Sequence, residues 1–196
     1  MVLEGRLQEA TLSLLAGSDI QFHRHSRLDI ALVKNLPLAL VFLPAADIPT
    51  FVGEGRVDLG ITGRDQVAEH EALAAPTETT GVEEVLDLGF GKCKLQVQVP
   101  EKGGIEDPKD LVGKNVVTSF TNLAREYFAK LEAEVDGKVY TNGNTNGASK
   151  EGERKLRTTI KYVGGSVEAA CALGVADGIV DLVGTCAAYD VPKGKE

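Results

Sequence analysis

The stretch 38–65, LALVFLPAADIPTFVGEGRVDLGITGRD, constrains the fold more than any other part of the chain. Its apolar patterning predicts a buried strand over residues 38–43, a loop with a short helix, and a short central strand over residues 57–61. The second strand would end in the loop formed by Gly60, Ile61, Thr62 and Gly63. Such a loop presents backbone N–H groups at the carboxyl edge of a sheet, where α/β proteins bind anionic ligands.

A second segment repeats this arrangement near the carboxyl terminus. Gly55 is followed three residues later by Asp58 and then by apolar residues, and Gly174 is followed in the same way by Asp177. Two such segments suggest two strand edges that face one crevice.

Asp177 directly precedes the predicted strand 178–183, and Asp181 lies within it. Alternation places Asp181 on one face of that strand with Ile179 and Val183, and a buried carboxylate is costly unless it is paired or bound to a cation. One interpretation is a carboxylate that holds a sugar hydroxyl or a Mg²⁺-linked group. The structural alternative makes Asp177 a helix cap and Asp181 a partnered acid, and spacing alone does not decide between them.

The remaining patterns predict a discontinuous two-lobed chain. Lobe one would span residues 1–98 plus 174–196 and lobe two residues 99–173, so that two crossings form a hinged cleft. Residues 141–151 are rich in Asn and Gly and predict a surface insertion. Further strands are predicted over 29–33, 94–99, 115–118 and 159–163, and helices over 5–15, 66–75, 121–134 and 167–173.

Composition narrows the range of partners. The chain has 196 residues and a formal net charge of -8, so its overall field repels nucleic acid and anionic membranes. A phosphate-bearing ligand would need local positive charge, which lobe one could supply from Arg6, Arg24, Arg27, Lys92 and Lys94. For any one of them a scattered surface cation is the common alternative. The three cysteines are too sparse for a disulfide framework or a zinc site. We expect a soluble, cytoplasmic protein without a bound structural metal.

Together these segments resemble one family, the ATP phosphoribosyltransferases of histidine biosynthesis, and its fungal branch in particular. The resemblance runs through residues 5–183. It rests on Gly5-Arg6-Leu7, RLDIAL at 27–32, LALVFLPAADIPTFVGEG, VDLGITGRDQV, LGFGKCKL at 88–95, VTSF at 117–120 and GGSVEAACALGVADGIVDLV.

The resemblance implies a two-lobed, periplasmic-binding-protein-like (type II) α/β fold with a discontinuous first lobe. It also implies a pentosyltransferase that condenses ATP with phosphoribosyl pyrophosphate. In that family Mg²⁺ enters as a complex with the substrate, and the enzymes form homo-oligomers. The strand from Asp177 and the loop after it would hold the ribose 5-phosphate and hydroxyls. The candidate catalytic residues are Asp177, Asp181 and Glu168, and the candidate substrate-binding residues are Arg6, Gly60, Ile61, Thr62, Gly63, Lys92 and Thr185.

The chain departs from the family after Val183. Thr185 is retained, but Cys186 stands at a glycine position and Ala188 replaces a hydroxyl residue of the family's phosphate loop. We therefore expect an incomplete enzyme that lacks the rest of lobe one and the C-terminal regulatory domain, and that is inactive in this form. The alternatives are a non-catalytic module that binds small anions and an interaction subunit of an intact enzyme.

Overall fold

The computed structural model describes residues 2–4 by their backbone, and residues 6–25, 28–77, 80–101, 103–137, 156–165 and 167–184. Within these residues the fold is α/β, as predicted. The chain divides into two units, Met1–Cys93 with Gly184–Glu196 and Lys94–Val183. The predicted insertion at 141–151 lies outside the described residues, as does Thr185.

The first unit contains a three-stranded mixed sheet centred on β3 (Ala39–Pro44). Strand β1 (Val2–Glu4) runs parallel to β3, with Glu4 beside Pro44. Strand β2 (Ile30–Leu32) runs antiparallel along the other edge. Both edges of β3 are therefore occupied.

Alternate residues of β3 enter two different cores, because successive side chains point to opposite faces of a strand. Leu40 and Phe42 pack in one cluster with Leu15 of helix α1 (Gln8–Gly17). Val41 and Leu43 pack against a second cluster that contains Ile48 of helix α2 (Ile48–Gly53). This burial on both faces explains why the segment is an unbroken apolar run.

The predicted strand over residues 57–61 is wrong, since the structure assigns bends and irregular backbone there. A central strand needs a partner edge and burial on both faces. The edges of β3 are occupied by β1 and β2, and Leu59 is 58% exposed. Val57 instead packs from the irregular segment against the core of Leu7 and Ile48.

The second unit is built on a four-stranded sheet in which β5 runs parallel to both of its neighbours. The strand order is β4-β7-β5-β6. These strands are β4 (Cys93–Gln98), β5 (Asn115–Thr118), β6 (Thr159–Tyr162) and β7 (Gly178–Gly184). Their positions agree with the predicted strands to within one residue at each end.

Helix α4 (Thr121–Val135) covers this sheet with the face that its periodicity predicts. Ala124, Phe128 and Leu131 are all buried, and they share a core with Val116 and Val180 of the sheet. The short helix α5 (Glu168–Ala172) connects β6 to β7.

The structure groups residues 174–183 with the second unit, because β7 is hydrogen bonded to β5. This differs from the predicted grouping of residues 174–183 with the first lobe. The first boundary also falls earlier than predicted, between Cys93 and Lys94. No helix in the described part of the chain is long and apolar enough to cross a membrane.

Candidate functional site

In the first unit, the candidate residues lie at the carboxyl ends of the parallel strands β1 and β3. Arg6 is two residues beyond the end of β1, and Ala45 directly follows β3. The Thr62 hydroxyl donates a hydrogen bond to the Ala45 carbonyl oxygen at 3.1 Å. The loop Gly60–Gly63 therefore lies beside the carboxyl end of β3, although no strand of its own leads into it. Helix α3 (Arg64–Leu73) begins directly after this loop.

Arg6 is held by three groups, and we call Arg6, Asp65, Gly91 and Cys93 the Arg6 cluster. Arg6 Nη1 donates to the Gly91 carbonyl oxygen at 2.8 Å. Arg6 Nη2 lies 3.5 Å from Asp65 Oδ1 and 3.5 Å from Cys93 Sγ. Lys92 lies between two members of the cluster and is exposed. The structure thus brings Arg6, Lys92 and the start of α3 together.

Sequence reasoning missed Asp65 and Cys93. Asp65 follows the predicted glycine loop by two residues, and Cys93 follows the candidate Lys92. An acid in the first turn of a helix has an ordinary explanation in the helix dipole, so Asp65 carried no distinct signal. Its pairing with Arg6 joins positions 59 residues apart and is visible only in the folded chain.

In the second unit, Asp181 lies at the carboxyl edge of the parallel sheet. Thr118 is paired with Val180, so Asp181 is the first residue of β7 beyond the end of β5. The buried Thr118 hydroxyl donates to the Val180 carbonyl oxygen at 2.6 Å and accepts a bond from the Phe120 N–H at 2.9 Å. These two bonds fix the strand end that carries Asp181. The Asp181 carboxylate itself accepts a bond from the Leu182 N–H at 2.8 Å.

Glu168 lies towards the same carboxyl edge of this sheet as Asp181. It is the first residue of α5, which begins after the carboxyl end of β6, and it is exposed. Because β5, β6 and β7 run parallel, the segments that follow them share one edge. Two of the three predicted catalytic acids are therefore placed at one edge.

Asp177 lies at the opposite, amino-terminal edge of the sheet. It precedes β7, and its carboxylate accepts a hydrogen bond from the Asn115 N–H at 2.9 Å, while its own N–H donates to the Asn115 carbonyl oxygen. Four residues of extended chain separate it from Asp181 by about 13 Å. These contacts give Asp177 a structural role between β5 and the start of β7, which is not the helix cap of the structural alternative. Its catalytic role stays a prediction.

Cys171 lies in α5 and is partly buried. Burial raises the pKa of its thiol, and the negative charge of Asp177 raises it further. A thiol with a raised pKa is mostly protonated at neutral pH and is a poor nucleophile. Among the residues that the structure describes, no three side chains of His, Cys, Asp or Glu converge as a metal site would require.

These features are typical of an α/β protein that binds anionic ligands at the carboxyl ends of its strands. The family model described as HisG: ATP phosphoribosyltransferase matches residues 44–188. The chain belongs to the ATP phosphoribosyltransferase family.

Fungal relatives carry the same description. The chain is 63% identical over 180 residues to the ATP phosphoribosyltransferase of Yarrowia lipolytica. The aligned region covers 92% of this chain and 52% of the relative. The Saccharomyces cerevisiae protein of that name is 54% identical over 180 residues, with the same two coverages. The chain therefore spans about half the length of the relatives that it matches.

A solved structure supports the fold. It is described as the ATP phosphoribosyl transferase (HisG:HisZ) complex from Thermotoga maritima and aligns with a TM-score of 0.60 at 22% sequence identity. The match covers 94% of this chain and 75% of the other.

Proposed function

We propose that this chain is the ATP- and phosphoribosyl-pyrophosphate-binding part of an enzyme that catalyses the first step of histidine biosynthesis. The reaction condenses ATP with phosphoribosyl pyrophosphate to give phosphoribosyl-ATP and pyrophosphate. The observation that carries this proposal is the family membership, which rests on the match over residues 44–188. The fungal relatives, which are about twice as long, support it.

The chemistry assigns a role to the acids of the second unit. N1 of the adenine ring forms a bond to C1′ of the pentose while the bond from C1′ to the pyrophosphate oxygen breaks. Positive charge develops at C1′ as the pyrophosphate leaves, and a fixed carboxylate nearby stabilises that charge. We assign this role to Asp181, whose strand end is fixed by Thr118, and a supporting role to Glu168 at the same edge.

The first unit supplies groups suited to the phosphates. Arg6 presents a planar guanidinium that matches phosphate oxygens, and Lys92 lies beside it in sequence. The loop Gly60–Gly63 precedes the amino terminus of α3, whose dipole favours anions. We assign these residues to the pyrophosphate and nucleotide. Thr185, assigned to the 5-phosphate, lies outside the described residues.

The finer architecture that we propose is the two-lobed, periplasmic-binding-protein-like arrangement of the family. Phosphoribosyl pyrophosphate would enter as its Mg²⁺ complex, so the ion belongs to the substrate.

The cysteines Cys93 and Cys171 are free thiols, which supports a reducing, cytoplasmic location.

The decisive assay measures phosphoribosyl-ATP formed from ATP, phosphoribosyl pyrophosphate and Mg²⁺. It compares this chain with a version extended by the remaining half of the Yarrowia lipolytica relative. We expect turnover in the extended version, and we expect Asp181→Asn to lower kcat by about a hundredfold, because removal of one electrostatic stabiliser has that typical cost.

Glu134→Gln is the matched control for Asp181→Asn. It also converts a carboxylate to an amide in the second unit, but it lies in the last turn of α4, about 20 Å along the helix from the carboxyl edge of the sheet. Its rate should equal that of the unmodified enzyme. An extended enzyme without phosphoribosyl-ATP synthesis would contradict the function, and full activity of Asp181→Asn would contradict the role of that residue alone.

A further inference from the structure

We propose that Asp65 is a positioning residue, which holds the Arg6 guanidinium in the orientation that receives a pyrophosphate oxygen. The contact between Asp65 and Arg6 is an observation of the structure. Only the identity of the anion rests on the proposed function. The inference adds to the candidate site a residue that touches no ligand and acts through Arg6.

The guanidinium of Arg6 is held at both of its terminal nitrogens. The Gly91 carbonyl accepts from Nη1, and Asp65 Oδ1 and Cys93 Sγ lie on Nη2. A planar group held at two points has a fixed plane. Within the described part of the chain, these contacts leave the Nε–H of Arg6 available, and the Arg6 side chain is 39% exposed. A ligand can therefore reach a guanidinium whose orientation is already set.

Asp65 is itself held firmly enough to act as a support. Its side chain is only 11% exposed. Its Oδ2 accepts a hydrogen bond from the Gln66 side-chain amide at 3.0 Å, and the Cys93 thiol lies 3.8 Å from its Oδ1. A Cβ at Gly63 would lie 2.2 Å from Asp65 Oδ1, so the carboxylate occupies space that only glycine leaves open.

The alternative is that Asp65 serves only the amino terminus of α3, where any acid interacts favourably with the helix dipole. Such an acid does not have to be buried, to lie against a glycine or to pair with a cation. Asp65 is largely buried, lies against Gly63 and pairs with Arg6. The two roles predict different results when Arg6 is absent, which allows them to be separated.

The expected size of the effect follows from side-chain ordering. An arginine loses much of its rotamer freedom when it binds an anion, and a side chain held in advance has already lost it. Immobilising one such side chain corresponds to about a tenfold change in affinity. Loss of Asp65 should therefore weaken anion binding about tenfold through Arg6 alone.

The first test needs no ligand. Nitrogen-15 NMR of arginine Nε–H groups measures the mobility of Arg6 in the full chain, with its signal identified by its loss in Arg6→Lys. We expect a restrained Arg6 in the unmodified chain, greater mobility in Asp65→Asn and the greatest in Asp65→Ala. The control Glu54→Gln removes an exposed acid of the same unit and should change nothing. Unchanged Arg6 mobility in Asp65→Asn, which keeps the side-chain shape, would overturn the inference.

The second test is a double-mutant cycle on the binding of inorganic pyrophosphate, measured by calorimetry. Asp65→Ala should weaken binding about tenfold in the unmodified chain and cause no further loss in Arg6→Ala. Additive losses would mean that Asp65 acts structurally, and would overturn the inference while the proposed function stands. If pyrophosphate does not bind but Asp65 still restrains Arg6 by NMR, the positioning role holds and the assignment of pyrophosphate fails.

Discussion

Replacing Glu132 by alanine is expected to lower the free energy of unfolding of the second unit by about 3 kcal/mol. This buried carboxylate on α4 accepts hydrogen bonds from the Thr158 N–H at 2.9 Å, the Thr158 hydroxyl at 2.8 Å and the Arg157 N–H at 3.1 Å. Thr158 in turn accepts a bond from the Gly113 N–H. Loss of the carboxylate leaves buried donors unpaired where the chain enters β6. Urea denaturation followed by circular dichroism measures the change.

Glu134→Ala provides the control, because Glu134 is an exposed acid two residues further along α4. It should change the unfolding free energy by less than about 0.5 kcal/mol. Equal stabilities of Glu132→Ala and Glu134→Ala would show that the network around Glu132 does not stabilise the unit.

Low pH should weaken the hydrogen-bond network around Glu132. Burial acts to raise the pKa of Glu132, but the hydrogen bonds from Thr158 and Arg157 and the charge of Arg157 outweigh it, and the pKa lies below its ordinary value of 4.5. A carboxyl whose pKa is depressed in the folded state contributes stability that is fully present above its unfolded pKa. That contribution is lost as the pH falls through the folded pKa. The stability difference between the unmodified chain and Glu132→Ala should therefore shrink below pH 4.5.

Gly91→Ala is expected to destabilise the first unit by about 3 kcal/mol and to release Arg6. Gly91 has a φ of +70°, and a Cβ there would lie 2.1 Å from Leu7 Cδ2. Leu7 is only 7% exposed and packs with Ile48, so it has little room to move. The resulting shift would displace the Gly91 carbonyl, which accepts the hydrogen bond from Arg6. Denaturation measures the stability, and arginine NMR measures the release.

The neighbouring glycine separates backbone strain from the collision with Leu7. Gly89 has a φ of +74°, and apart from its chain neighbours no atom of the described residues lies within 4 Å of the position that its Cβ would occupy. Gly89→Ala should therefore cost only the strain of a positive φ, about 1 kcal/mol. If the two variants lose equal stability and Arg6 stays restrained in both, the close approach of Leu7 to Gly91 has no energetic importance.

Elements that depend on local patterning were predictable from the sequence. The face of α4 that carries Ala124, Phe128 and Leu131 is buried as its three- and four-residue spacing predicts. The strict alternation of residues 94–99 predicts a strand, and the structure has β4 there, with burial that also alternates over most of its length. In both cases the side chains of one segment determine its structure.

Features that depend on distant partners were not predictable. Residues 57–61 have strand-like apolar residues, but whether they pair depends on β1 and β2 occupying the edges of β3. Asp177 and Asp181 are only four residues apart, and the register of β7 against β5 places them at opposite edges. The contact of Asp65 with Arg6 likewise requires the loop before α3 to return to the carboxyl end of β1.

The most direct measurement is calorimetric titration of this chain with the Mg²⁺ complex of phosphoribosyl pyrophosphate and with ATP, with free amino acids as the comparison ligands. We expect saturable binding of both phosphorylated ligands and no binding of amino acids. Arg6→Ala should weaken the binding of both ligands, and Asp181→Asn should weaken the binding of phosphoribosyl pyrophosphate. Absence of binding of both phosphorylated ligands, or binding that neither variant alters, would contradict the account.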